Sequence, residues 1–340
     1  MTGSASTNPV LVEVLRGGEV ESQHRGAAAI VDKTGAIVAA WGDIDQPIYP
    51  RSAVKPLQAL ALVETGAAEK FGVSDREIAL ACASHNGEPV HVDAVRAWLS
   101  RLELTTASLE CGPHAPFDAE AQVALLRAHS APDRAHNNCS GKHAGMLTVA
   151  RHLDAPTEGY IRADHPVQRL NRQIMSELAS VDLSAAPMGI DGCGVPTVAM
   201  SLVALARAMA RFARPDGAQD ARARASERIR AAMAEHPLMV AGRGRFCTEV
   251  MEAAAPAILV KTGAEGVFTA MLPKEGLGIA LKIDDGATRA SECALAALLG
   301  RFATPTPAGE AVLGRYAARE LRNWAGVTVG LVRPATQWFR

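Results

Sequence analysis

Residues 27–41 read Ala-Ala-Ala-Ile-Val-Asp-Lys-Thr-Gly-Ala-Ile-Val-Ala-Ala-Trp. Two apolar runs flank Asp32-Lys-Thr-Gly35, a turn sequence, and this pattern predicts a β-hairpin. The apolar segment Val10–Leu15 predicts a further strand just ahead of the hairpin. Strands are predicted again towards the other end of the chain, at 257–261, 266–272, 277–283 and 327–332.

The middle of the chain has a helical pattern, with apolar residues at spacings of three and four. Ser74-Asp-Arg-Glu77 also has the form of a capping box, which predicts the start of a helix. Helices are predicted at 89–102, 119–129, 166–179, 196–212 and 220–235, and later at 290–302 and 308–324.

Strands near both ends of the chain therefore enclose a large helical region. This order predicts an α+β protein with one antiparallel sheet, built from about 9–45 and 257–332, and a helical region over about 52–255. We expect a single catalytic domain over residues 9–334, preceded by a flexible N-terminus over residues 1–8.

Composition narrows the possible partners. The chain has 340 residues, 48% of them hydrophobic, and a formal net charge of −1. No basic tract could neutralise phosphates, so nucleic acid is not an expected partner. The longest uncharged apolar stretch, Val195–Ala206, is shorter than the roughly 20 residues that span a bilayer. With no signal peptide in the sequence and six cysteines expected to stay reduced, we expect a cytoplasmic protein with no membrane partner.

Ser52-Ala-Val-Lys55 is followed directly by Pro56. Proline is tolerated in the first turn of a helix, so Ser52 is predicted near a helix start with Lys55 one turn later. In a tight 3₁₀ turn this spacing would bring the amine beside the hydroxyl. A desolvated neutral lysine can activate a serine nucleophile. The alternative is a helix cap with a solvated lysine.

Two further motifs follow in order, Ser84-His-Asn86 and Lys261-Thr-Gly263. Together with the first motif they resemble the three motifs of β-lactamases and penicillin-binding proteins. Two Ser/Lys pairs would then act on one carbonyl. One hydroxyl would attack, while the second pair relays a proton to the leaving amine or stabilises charge. The alternative for the second motif is a polar turn after a buried helix.

Asn137–Gly145 and Gly189–Pro196 are polar and glycine-rich, and each contains one cysteine. Two thiolates, a nitrogen ligand and a water molecule would suit Zn²⁺. The nitrogen could come from Lys142 or His143. Ordinary buried thiols are the alternative.

Over about residues 9–334 the chain resembles the Rhizobium-type (class 3) L-asparaginases. The resemblance is carried by Arg51–Gln58, Cys82–Glu88, Asn137–His143, Gly189–Gly194 and Lys261–Gly266. It implies a fold similar to serine β-lactamases and glutaminases, a homodimer, and hydrolysis of L-asparagine to L-aspartate and ammonia.

The resemblance also implies the functional residues. The catalytic set is Ser52, Lys55, Ser84 and Lys261, and the zinc ligands are Cys139, Lys142 and Cys193. Substrate-binding candidates lie within the same motifs: Arg51, His85, Asn86, His143, Asp191 and Gly263. We expect Ser52 to form the acyl-enzyme with Lys55 as general base, and Ser84 to pair with Lys261. Which serine attacks stays open.

Three other functions remain at this point. A glutaminase, or a serine amidase or peptidase of penicillin-binding type, would use the same Ser/Lys groups. A zinc-binding scaffold without catalytic activity is the alternative from a different class. The presence of all four Ser/Lys groups favours an enzyme.

Overall fold

The computed structural model describes residues 8–215 and 220–338, so the predicted flexible N-terminus lies outside the described residues except for Asn8. The chain divides into two compact units. The sheet unit comprises residues 8–53, 200–214 and 253–338. The helical unit comprises residues 54–199, 215 and 220–252. The single catalytic domain over residues 9–334 stays a prediction.

The strands, in chain order, are β1 (Val10–Arg16), β2 (Glu19–Asp32), β3 (Ile37–Trp41), β4 (Pro47–Ile48), β5 (Met188–Ile190), β6 (Pro196–Val198), β7 (Met200–Ser201), β8 (Leu259–Thr262), β9 (Val267–Leu272), β10 (Leu277–Ile283), β11 (Arg319–Arg322) and β12 (Thr328–Pro334).

The α-helices are α1 (Lys55–Gln58), α2 (Leu60–Glu64), α3 (Ala67–Lys70), α4 (Asp75–Ala81), α5 (Pro89–Arg101), α6 (Ala119–Arg127), α7 (Ser140–His152), α8 (Pro166–Ala179), α9 (Leu202–Ala213), α10 (Ala221–Glu235), α11 (Pro237–Val240), α12 (Phe246–Ala254), α13 (Thr288–Phe302) and α14 (Pro307–Ala317).

The sheet unit is organised around one antiparallel sheet. Within the described ranges, eight strands form it in the order β11-β12-β1-β2-β10-β9-β8, with β3 paired to β2. The two ends of the chain meet in it, since Val14 of β1 lies opposite Val332 of β12. The predicted hairpin is β2–β3, in which Ile30 lies opposite Ala39. The predicted α+β class, with a sheet made from both ends of the chain, is confirmed.

Helix α9 packs on strands β2, β9 and β10 of this sheet. Gly278 in β10 allows the close approach, because a Cβ there would collide with the backbone of Ala206 and Ala210 in α9. Helix α13 packs along β1 and β12 and also contacts α14. Every residue of β9 is buried, which agrees with a sequence that is apolar except for Thr269.

The helical unit is built around α7, whose residues 140–150 are all buried. Helix α4 packs against it, and the contact requires Gly141, because a Cβ there would collide with the carbonyl oxygen of Leu80. Ser74 caps α4 through the predicted capping box with Glu77. This packing places the end of α4 beside the start of α7, so the segments that carry Ser84 and Cys139 lie next to each other.

Two predicted helices were wrong at one end. The helix predicted at 196–212 begins at Leu202, and residues 196–201 contain the short strands β6 and β7. The helix predicted at 308–324 ends at Ala317, because Arg319–Arg322 pairs with β12 as an edge strand. In both places pairing with another strand overrides local helical spacing.

In the described ranges, no helix is both long enough and apolar enough to cross a membrane.

Candidate active site

The first motif adopts the predicted tight turn. Residues Arg51–Val54 form a 3₁₀ turn that runs directly into α1, with Pro56 in its first turn. Arg51 has a φ of 52°, a left-handed conformation that costs free energy for a residue other than glycine. The Ser52 side of this turn belongs to the sheet unit, and Lys55 belongs to the helical unit.

The third motif lies against the same turn within the sheet unit. Lys261 is buried in β8, and its ammonium donates to the carbonyl oxygen of Thr262 (2.8 Å). The hydroxyl of Thr269 contacts the carbonyl oxygens of both Ala53 (3.3 Å) and Lys261 (3.2 Å). A Cβ at Gly263 would lie 2.8 Å from the carbonyl oxygen of Pro50. The glycine of this motif therefore allows the strand to pass close to the segment that carries Ser52.

Lys55 lies deep in the helical unit, with 1% of its surface exposed. Its amine donates to the carbonyl oxygen of Ala83 (2.5 Å), the hydroxyl of Ser84 (3.0 Å) and the sulfur of Cys139 (3.1 Å). Lys55 thus contacts the serine of the second motif. The pairing of Ser84 with Lys261 stays a prediction.

These three partners determine what Lys55 can do chemically. A carbonyl oxygen only accepts hydrogen bonds, whereas the Ser84 hydroxyl can also donate. If the amine loses a proton, its lone pair can therefore receive the proton of Ser84. The arrangement permits proton exchange between a buried amine and a serine hydroxyl.

Asn86 lies at the end of the second motif, and both polar atoms of its side-chain amide form hydrogen bonds within the protein. Its oxygen accepts from Arg245 (2.9 Å), and its nitrogen donates to the carbonyl oxygen of Arg243 (3.1 Å) and to Glu88 (3.3 Å). Gly242, with a φ of 109°, packs on this amide so closely that a Cβ would lie 2.6 Å from its nitrogen. This turn was not predicted from the sequence, although the two glycines of Gly242-Arg-Gly-Arg245 indicate tight backbone geometry.

The two cysteine-containing segments meet in the helical unit. Cys139 is the N-cap residue of α7, and Cys193 lies in the loop of the β5–β6 hairpin. The two sulfurs are hydrogen-bonded to each other, and the Lys142 amine donates to Cys193 (3.0 Å). All three predicted zinc ligands are therefore in one buried cluster.

The electrostatics of this cluster favour one thiolate. The hydrogen bond with Cys139, helped by the charge of Lys142, lowers the pKa of Cys193 to about 4, although burial opposes the shift. The same hydrogen bond, together with burial, raises the pKa of Cys139 to about 12. Burial works to lower the pKa of Lys142, but the charges of Cys193, Cys139 and Asp191 raise it above its usual value. Without a metal, the cluster is an ammonium–thiolate pair with a neighbouring thiol.

This donor set fits zinc. Two sulfurs in mutual contact and one nitrogen beside them match the soft ligands that Zn²⁺ accepts, with a fourth position left for water or substrate. Among the residues that the structure describes, no group of three His, Cys, Asp or Glu side chains could hold a metal ion. A zinc site here would therefore depend on Lys142 as its third donor.

His143 follows Lys142 on α7, but its ring points to a different partner. Its Nδ1 lies 2.6 Å from the hydroxyl of Tyr160, which also accepts from the backbone N–H of Glu110 (2.9 Å). Burial and the charge of Lys142 lower the pKa of His143 to about 3, so the ring is neutral. Of the two nitrogen ligands that the sequence left open, Lys142 is the one in contact with Cys193.

Three solved structures illustrate the similarity to known proteins. Mglu in its native form is 16% identical with a TM-score of 0.43, and the match covers 86% of this chain and 60% of that one. Mglu in its glutamate form is 18% identical with a TM-score of 0.44, covering 88% of this chain and 66% of that one. A β-lactamase from Mycobacterium bovis is 16% identical with a TM-score of 0.39, covering 86% and 94%. Similarity this low assigns no function.

Comparison with curated proteins gives no match. The family described as L-asparaginase II, in contrast, matches residues 12–334, nearly the whole chain. That match includes every candidate site residue and supports an amidohydrolase. The chain belongs to the L-asparaginase II family.

Proposed function

We propose that this protein is an L-asparaginase that hydrolyses L-asparagine to L-aspartate and ammonia through a serine acyl-enzyme. The observation that supports it most is the contact between the buried Lys55 amine and the Ser84 hydroxyl (3.0 Å). A buried lysine hydrogen-bonded to a serine is the arrangement that base-assisted acyl transfer needs.

In the proposed reaction Ser52, which is partly exposed, is the nucleophile. Its oxygen bonds to the side-chain amide carbon of asparagine while its proton passes to the neutral Lys55 amine. The C–N bond then breaks, and ammonia leaves with a proton relayed through Lys55 and Ser84. Water attacks the resulting ester and releases L-aspartate and the free Ser52 hydroxyl.

Lys261 completes the catalytic set as a positive charge from β8. Arg51, Asp191 and His143 are the proposed polar contacts to substrate, and Gly263 gives the substrate room to approach the strand. His85 and Asn86, whose side chains are buried, support the Ser84 loop in this proposal.

Zinc is proposed as the cofactor, held by Cys139, Lys142 and Cys193. When bound, it would supply a Lewis acid that holds the substrate in place. A homodimer is proposed as the assembly, which light scattering coupled to size-exclusion chromatography can check. The cytoplasmic location stays a prediction.

The decisive experiment measures ammonia release by the purified protein from L-asparagine and L-glutamine, with and without chelator, beside hydrolysis of a chromogenic β-lactam. We expect turnover of asparagine, slower turnover of glutamine and none of the β-lactam. Faster turnover of glutamine would make the protein a glutaminase, and β-lactam hydrolysis alone would indicate the penicillin-binding type. Stoichiometric zinc without hydrolysis would indicate a scaffold.

The nucleophile is tested by mass spectrometry after rapid acid quench with asparagine. We expect an aspartyl adduct on Ser52 that is absent in Ser52→Ala. In Ser84→Ala we expect slow formation of the same adduct. An adduct that persists in Ser52→Ala and disappears in Ser84→Ala would exchange the roles of the two serines.

A further inference from the structure

His85 lies between Ser84 and Asn86 of the second motif, and none of its surface is exposed. Burial lowers its pKa well below the usual value, so the ring is neutral. The hydrogen bonds of this ring lie within the protein, and they indicate what the ring does.

The hydrogen bonds of the His85 ring determine its tautomer. The backbone N–H of Gly87 donates to Nδ1 (3.1 Å), so Nδ1 carries the lone pair and the ring proton lies on Nε2. Nε2 in turn donates to the hydroxyl of Ser140 (2.9 Å). That hydroxyl donates onward to the carbonyl oxygen of Ala135 (2.9 Å). Each of these three hydrogen bonds therefore has a defined donor and a defined acceptor.

These hydrogen bonds join the two segments that Lys55 contacts. Lys55 contacts Ser84 on one segment and Cys139 on the other. His85 and Ser140 are the next residues along each segment, and their side chains are hydrogen-bonded to each other. The backbone N–H of His85 also donates to the carbonyl oxygen of Asn138 (3.2 Å). His85 thus makes two of the contacts that hold the two partners of Lys55 at their spacing.

We propose that His85 is a positioning residue that, through Ser140, holds Ser84 and Cys139 at the spacing that orients the Lys55 amine. This inference rests on the proposed amidohydrolase function. Because His85 acts on the orientation of a catalytic group, its loss should lower kcat and leave KM for asparagine near the wild-type value. A ring that contacted substrate would instead change KM.

Two substitutions separate the hydrogen bond from the bulk of the ring. The amide of His85→Gln can reach the position of Nε2 and donate to Ser140. The shorter side chain of His85→Asn can accept from Gly87 but cannot reach Ser140. We expect kcat to fall about 10- to 100-fold in His85→Asn, the range that small misplacements of catalytic groups cost, and to be largely recovered in His85→Gln.

Two further variants test whether His85 acts through Ser140. Ser140→Ala removes the acceptor, so it should reproduce the loss of kcat, and the double variant His85→Asn/Ser140→Ala should be no worse than either single one. His91 is the packing control, since its ring stacks on that of His85 (4.9 Å between centroids) but donates to the carbonyl oxygen of Leu238 (2.9 Å). His91→Gln should keep kcat near wild type. An equal loss in His91→Gln, or unchanged kcat in His85→Asn, would overturn the proposal.

A readout independent of turnover distinguishes this proposal from the proposed function. NMR of protein with ¹⁵N-labelled histidine rings should show a neutral ring with an exchange-protected Nε2 proton, whose signal shifts in Ser140→Ala. If the wild-type protein releases no ammonia while this signal behaves as expected, the proposed function fails and the hydrogen-bonded link between the segments stands. A proton on Nδ1 of His85 would overturn the link itself.

Discussion

Lys55 and Lys142 are both almost fully buried in the helical unit, and each donates to a cysteine sulfur at about the same distance (3.1 and 3.0 Å). Their remaining partners differ. Lys55 also contacts a serine hydroxyl and a backbone carbonyl, whereas Lys142 faces the Cys193 thiolate and the charge of Asp191. A hydroxyl can return a proton to an amine, but a thiolate only stabilises the ammonium. Two lysines of similar burial are thus suited to different chemistry by what lies next to them.

The largest effect is expected for Lys55→Arg. Arginine keeps the charge but cannot become neutral, so kcat for asparagine should fall about 10²–10⁴-fold, the usual contribution of general acid–base catalysis. Steady-state kinetics measure it, and zinc content should stay unchanged. Lys274→Arg, at an exposed lysine, is the matched control. If Lys55→Arg keeps most of its kcat, Lys55 acts only as a positive charge. The proposed chemical difference between Lys55 and Lys142 would then be wrong.

Cys193→Ser tests the Lys142 side of the comparison. Loss of one sulfur should reduce bound zinc from one per chain to none and raise KM by about 10- to 100-fold, the usual cost of disturbing a metal site. Elemental analysis and asparagine kinetics measure the two effects. Cys293→Ser is the control, because Cys293 is a buried thiol of the sheet unit whose contact is the carbonyl oxygen of Ala317. Equal zinc in Cys193→Ser and wild type would place the metal elsewhere.

Lys142→Met and His143→Gln sharpen the assignment of the nitrogen ligand. Lys142 contacts Cys193 and His143 contacts Tyr160, so Lys142→Met should weaken zinc binding about tenfold or more while His143→Gln should keep it. Competition with a chromogenic chelator gives both affinities. The reverse order would assign the nitrogen to His143.

The smallest effect is expected for Ser74→Ala at the start of α4, the helix that leads to the Lys55 partners Ala83 and Ser84. Loss of the capping box should lower the free energy of unfolding by about 1 kcal/mol without changing kcat. Urea denaturation measures the first and ammonia release the second. The control is Ser100→Ala, at an exposed position near the end of α5. A large loss of kcat in Ser74→Ala would mean that α4 does more than support its loop.

Sequence patterns predicted an element well where one local cause dominates. Asp32–Gly35 specifies a tight turn by residue type, so the β2–β3 hairpin was predictable. Ser74 and Glu77 specify a helix start by mutual capping. The uncharged, mostly apolar stretch from Val195 was not decisive, because periodicity alone cannot distinguish a buried strand from a buried helix. Helix α7 was not predicted, because it begins in a glycine-rich motif. Gly141 is needed there for the close contact with Leu80, and glycine does not favour a helix.

By itself, the sequence determined the class of fold and the chemical inventory of the site. Turn residues, helix caps and apolar spacing act over a few residues, so they predict the class of fold. The presence of Ser, Lys and Cys side chains indicates which chemistry the site can perform. Only the tertiary structure decided the partners, placing Ser84 beside Lys55 and Cys193 beside Lys142. These contacts join residues 29 and 51 positions apart, and they depend on how α4, α7 and the β5–β6 hairpin pack in the core. Packing between distant segments has no local sequence signal, because it is set by the shape of the whole buried interior.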